Sequence, residues 1–286
     1  VEKSLKLDEN LAEGYKALAL IYQYDGNRNE SLKYNLKAIK LKPGFSDAMG
    51  NVALRYQSKG DLSEAREWLL KSNELDPYNR RMKWHLGNNY YLFGNFEEGE
   101  KVYLDGIAKH SDSFECHSGL VSLHMNIGKP NKAKYFLDEL FKIRPNDNRV
   151  VRVASNFYFN EQDFDKSKEY IMKLNQKNSW DLIKLAFIEK KINNTKLSDR
   201  YLKEAQNRTN KALLKNDKIA RQLYNLALIN FINQNTDEAF RLLEKMADNG
   251  GLNYKGLMNN PILAEIKSDD RFLNLIDRIM NIIDRE

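Results

Sequence analysis

"KPGFSDAMGNVALRYQSKGD", residues 42–61, puts Pro43 just ahead of a helix-like run and Gly60 just past it. A second helix-like run then leads into Asp76-Pro77, so Pro43 and Pro77 stand 34 residues apart. Laid out with that period, the chain gives blocks starting at Ala12, Ser46, Arg80, Phe114 and Asn148, with no gap between them. Position 11 reads Tyr22, Tyr56, Tyr90, His124, Tyr158, and position 15 reads Gly26, Gly60, Gly94, Gly128, Gln162. Position 20 is small throughout: Ser31, Ala65, Gly99, Ala133, Ser167. The interval is a unit of construction.

Positions 4, 7, 8 and 11 make one stripe at helical spacing, which predicts an amphipathic first helix in each block. Glycine at position 15 supplies the left-handed residue that stops it. The small residue at position 20 lets a second helix come close, and Leu69 and Leu137 continue that helix's apolar stripe. Pro43, Pro77 and Pro145 then end the pair, since proline cannot extend a hydrogen-bonded ladder.

These residues resemble the tetratricopeptide repeat family, and the resemblance implies an all-α, right-handed α-solenoid of helix-turn-helix repeats with a C-terminal capping helix. Five regular repeats are expected at 12–45, 46–79, 80–113, 114–147 and 148–179. Residues 1–11 read as the tail of a preceding repeat, because "EKSLKLDEN" matches "KAIKLKPGF" one period later. Residues 180–253 read as two degenerate repeats. The first keeps Leu185-Ala186 and Ala205 but has Glu189 where an aromatic belongs; the second keeps Leu226-Ala227, Ala239, Leu243 and Met246. The register slips by seven residues between them, about two helical turns, which predicts a prolonged helix near 198–216. Residues 254–286 read as a cap whose last helix turns Leu273, Ile276, Ile279, Met280 and Ile283 onto the final repeat. "NPILAEIKSDDRFLNLI" also resembles the segment that closes such arrays in bacterial multidomain regulators.

Composition narrows the function classes. Of 286 residues, 42% are hydrophobic and 30% charged, as in an ordinary folded chain, and Gly (14) and Pro (5) are scarce, which argues against an all-β protein. The net charge of +6 arises from 46 basic and 40 acidic residues that are interspersed, a pattern that favours a solvated surface over a nucleic-acid footprint. No run of 18 apolar residues exists, so no membrane span is expected. One cysteine, Cys116, and a start without a signal-peptide pattern suit the cytoplasm, and the Lys- and Asn-rich usage suits an AT-rich bacterial genome.

Chemistry-bearing motifs are missing. There is no G-x-G-x-x-G, no G-x-x-x-x-G-K-[ST] and no G-x-S-x-G, so no cofactor and no catalytic residue is expected. His110, Cys116, His117 and His124 are a conceivable soft-metal set, but His117 and His124 occupy packing positions 4 and 11. They are expected as core histidines, with no metal. Acid pairs such as Glu97-Glu98 fall in first helical turns, where they complement the helix dipole.

The family resemblance places function in a groove lined by positions 2, 5, 6, 9, 12 and 13 of each repeat. In the first half these give Lys16, Asn51, Arg81, Trp84, His85, Asn88 and Tyr91. In the second half they give Arg149, Arg152, Asn156, Phe159, Lys184, Arg221, Tyr224 and Asn225. Members that hold acidic C-termini use a five-residue carboxylate clamp. Lys16, Asn51 and Arg81 match it while Leu20 and His85 depart; Arg152, Asn156 and Arg221 match while Lys184 and Asn225 do not. The expected function is a non-catalytic scaffold that holds a protein or peptide, of acidic character, in the concave groove. The alternative is a sensory or autoregulatory module of a bacterial signalling enzyme or transcription regulator whose output domain precedes residue 1.

Overall fold

Helices begin where the sequence period places them. The computed structural model describes residues 1–215 and 219–285. After the short α1 (Glu2–Leu7), first and second helices alternate: α2 (Ala12–Tyr24) with α3 (Arg28–Leu41), and α4 (Ser46–Lys59) with α5 (Leu62–Leu75). Then come α6 (Arg80–Leu92) with α7 (Phe96–Lys109), α8 (Phe114–Asn126) with α9 (Pro130–Ile143), and α10 (Asn148–Asn160) with α11 (Phe164–Met172). Two further pairs are α12 (Ser179–Lys191) with α13 (Thr195–Leu214), and α14 (Ile219–Ile232) with α15 (Thr236–Asp248). The chain closes with α16 (Tyr254–Met258), a 3-10 helix (Pro261–Ile266) and α17 (Asp270–Arg285). Among the described residues there is no strand, and the all-α architecture of packed helix pairs expected from the period is what the chain adopts.

The reason each pair turns is local. Position 15 is left-handed in every pair: Gly26, Gly60, Gly94 and Gly128 have φ of 78°, 93°, 79° and 71°. Gln162, Asn193 and Gln234 occupy the same conformation at 60°, 60° and 64°, so the backbone keeps the turn even where the glycine is lost. The next residue is the N-cap of the second helix and is nearly always Asn or Asp: Asn27, Asp61, Asn95, Asp163, Asn194, Asn235. Two of these side chains accept from an orphan N–H group, Asn27 from Glu30 at 3.5 Å and Asp163 from Lys166 at 3.1 Å. The exception is Lys129, which Pro130 follows at the first helical position.

The two helices of a pair are fixed by two recurring contacts. Position 11 stacks on position 23: Tyr22 on Tyr34 at 5.3 Å, His124 on Phe136 at 5.7 Å, Tyr158 on Tyr170 at 5.5 Å. Position 20 is buried against the first helix, and at Ser167 and Ser198 its hydroxyl donates to a first-helix carbonyl. Ser167 Oγ bonds Ser155 O, and Ser198 Oγ bonds Ala186 O, both at 2.9 Å. Where position 24 grows to Tyr103, position 8 shrinks to Gly87, whose added Cβ would meet the ring at 2.5 Å. Glu189, standing in the aromatic position, is buried and salvaged by Lys168 at 2.6 Å and the Asn194 amide at 2.8 Å.

The helices fall into two compact units, residues 1–111 and residues 112–285. In the second, α13 runs 20 residues, whereas the other second helices have 14 or fewer. Asn216, where the prolonged helix was expected to end, lies outside the described residues. The closing helix corrects one expectation. Ile276, Ile279 and Ile283 are buried as anticipated, but Leu273 and Met280 are 48% and 41% exposed, and Phe272 and Leu275 are buried instead. The buried stripe follows i, i+3, i+4, i+7 from Phe272, and Leu273 and Met280, seven apart, lie on its flank.

Candidate functional site

In the first unit, Lys16 and Leu20 of α2, Asp47 and Asn51 of α4, and Arg81 and Met82 of α6 line one cavity of about 220 Å³. Three successive first helices thus bring Lys16, Asn51 and Arg81 together. Lys16 Nζ lies 3.1 Å from Asp47, and its side chain is 26% exposed against 57% for the acid. A pair this open contributes no more than ~1 kcal/mol, so a competing carboxylate can exchange for Asp47. Arg81 is exposed and makes no ion pair among the described residues. His85 does not complete the set as a cation. Burial, reinforced by the neighbouring Arg81 charge, pushes its imidazole down to about 3, and its ring packs edge-on against Trp84 at 4.6 Å. Trp84 and Asn88 are half-buried; Tyr91 is buried against Phe96 at 5.8 Å.

The second unit treats the equivalent residues differently. Arg152 Nε bonds Asp181 at 3.0 Å, and its terminal nitrogen bonds the Gln176 carbonyl at 3.0 Å. Asn156 Oδ1 accepts from Lys184 Nζ at 2.6 Å and from Trp180 Nε1 at 3.1 Å. Lys184 is wholly buried, its ammonium also bonded to Ser155 Oγ at 2.7 Å, and burial lowers it to about 7 against the pull of Asp181 3.6 Å away. Phe159 is wholly buried among Phe164, Trp180 and Phe187. Arg149 is exposed but bound to Asp147 at 2.7 Å, with Glu115 at 3.7 Å. Asn225 is buried beside Gln222, while Arg221 is exposed and makes no ion pair among the described residues. Most of these side chains hold neighbouring repeats to each other.

A roof explains the rest. Asn259 Nδ2 donates to the Asn126 carbonyl at 2.8 Å, across 133 residues, and Asn260 Nδ2 donates to the Tyr224 hydroxyl. Burial raises the Tyr224 phenol well above the usual tyrosine range. Leu252, Leu257, Ile262 and Leu263 are at most 8% exposed, and each contributes about 1.5–3 kcal/mol, so the segment through Ile266 is an integral part of this unit. Beneath it a cavity of about 180 Å³ remains between Asn126, Asn156, Asn160, Trp180 and Asn260. Asn160, Trp180 and Asn260 were missed in the sequence, where only the Asn-Pro start of the 3-10 helix signals the segment's turn.

His117 and His124 lie in the core, His117 with Nδ1 2.7 Å from the Ser113 carbonyl. Among the described residues no group of three or more His, Cys, Asp or Glu is placed to hold a metal ion, and no helix is long and apolar enough to cross a membrane.

Residues 46–79 match the tetratricopeptide repeat family. No curated protein sequence matches the chain. Among solved structures, Pseudomonas aeruginosa PilF is similar at 19% identity, over 70% of this chain and 92% of that one, with a TM-score of 0.55. PilW, a widely conserved type IV pilus biogenesis factor, is similar at 15% identity, over 68% and 92%, TM-score 0.57. A thermophilic tetratricopeptide repeat protein of Thermus thermophilus is similar at 16% identity, over 57% and 89%, TM-score 0.51. At these identities the likeness is one of fold.

Proposed function

From the match of residues 46–79 to the tetratricopeptide repeat family and the fold of packed helix pairs, we propose that the chain is a non-catalytic scaffold whose first unit captures a polypeptide carboxylate. The observation that carries this reading is the convergence of Lys16, Asn51 and Arg81 on one cavity, with Arg81 free to form an ion pair. An acidic peptide would exchange one of its carboxylates for Asp47 on Lys16, accept from the Asn51 amide, and take a charge-assisted bond from Arg81. Leu20 and Met82 supply apolar contact beside it. The second unit contributes rigidity, since its corresponding Arg152, Asn156 and Lys184 are bonded to one another's repeats.

The test is fluorescence anisotropy with an acidic nonapeptide, free or amidated at its C-terminus, against the whole chain and a Lys16→Glu/Arg81→Glu variant. Loss of two charge-assisted bonds should weaken binding by at least about tenfold. Equal binding by the variant would remove the reading.

A further inference from the structure

The roof segment of the second unit borders an open-sided cavity of about 330 Å³ between α12, α14 and the 3-10 helix. That volume is within the range of small-molecule sites. Its apolar wall is formed by Phe187, Phe231, Ile232, Pro261 and Ile262, with Gln234 beside them. Its charged groups are Lys190, Lys191 and Glu265. Lys190 is half-buried, and its ammonium donates to the Ile232 carbonyl. Neither Lys190 nor Lys191 has an acidic partner within ion-pair distance among the described residues; Lys191 lies instead 5.1 Å from the Phe187 ring centroid. The half-buried ammonium of Lys190, held by one neutral carbonyl, keeps further donors for an anion.

We propose that this cavity binds a small carboxylate with an apolar body, its anion on Lys190 and Lys191 and its body between Phe187, Phe231 and Pro261. Two cations against one carboxylate make the site select an anion. Glu265 offers a partner to an α-ammonium, so a simple apolar acid and an apolar amino acid share the carboxylate contact and differ there. The site is independent of the first unit's cavity and suits a module that senses a metabolite.

Isothermal titration of the whole chain with 3-phenylpropionate, L-phenylalanine and phenethylamine tests it. Both carboxylates should bind with a Kd on the order of 1 mM or tighter, and the amine should not. Lys190→Gln should weaken both acids about tenfold, whereas Glu265→Gln should weaken phenylalanine alone. Ala264→Trp, which adds bulk at an exposed position on the cavity lining, should block both acids without altering the circular dichroism spectrum. Binding by phenethylamine equal to that of the acids, no saturable binding of either acid, or affinity unchanged in both Lys190→Gln and Ala264→Trp would overturn the proposal.

Discussion

Lys184→Met probes the interior of the second unit through its pH dependence. The wild-type ammonium titrates at about 7 in the folded chain because burial opposes its charge, while an exposed lysine in the unfolded chain titrates near ~10.4. Between those values the unfolded state holds a proton that the folded state lacks. Stability therefore rises with pH across this window, by up to ~1.4 kcal/mol per unit. Below about 7 both states are charged and the contribution is flat at its least favourable level. From pH 7.5 to 9, short of tyrosine ionisation, the gain amounts to about 2 kcal/mol. Methionine is of similar length, and the neighbours of Lys184 keep partners: Asp181 keeps Arg152 at 3.0 Å, Asn156 keeps Trp180, and Ser155 keeps the Arg152 carbonyl at 2.9 Å. Urea midpoints followed by circular dichroism at four pH values should give a rising slope for wild type, and a slope lower by ~1 kcal/mol per unit for the variant. Equal slopes would refute a neutral, buried Lys184.

Gln162→Gly and Gln234→Gly should each stabilise by about 0.5–1 kcal/mol, since a left-handed residue with a Cβ costs more than glycine's added freedom when unfolded. Gly60→Gln should do the reverse, and all three are read as shifts in the urea midpoint. Leu263→Ala, deleting a fully buried roof side chain, should cost about 2–5 kcal/mol, while Leu273→Ala, 48% exposed, should cost less than ~0.5 kcal/mol. Similar costs in thermal melts would show that the roof is not packed as described.

Local rules account for what was legible in the sequence. A period set by a left-handed stop, a small residue at the closest approach and an aromatic stack runs through the regular pairs, so even Gln162 and Glu189 could be placed by counting. The groove positions alone did not reveal which members also bond another repeat. Arg152 and Asn156 look like free ligands in isolation, and only Asp181, Trp180 and Lys184, 24–29 residues later, show that they are consumed. The roof is less legible still: the bond from Asn259 to the Asn126 carbonyl spans 133 residues and obeys no period. Glycine at position 15 was foreseen, whereas the Asn/Asp cap beside it was overlooked, although both are short-range signals.

Backbone amide spectra of the isotopically labelled whole chain, titrated with the free-carboxylate acidic peptide, bear most directly on the carboxylate clamp. Shifts should concentrate on Lys16, Asn51 and Arg81 and their helical neighbours, with Arg152, Asn156 and Lys184 unmoved. Shifts centred on the second unit, or none anywhere at saturating peptide, would contradict it.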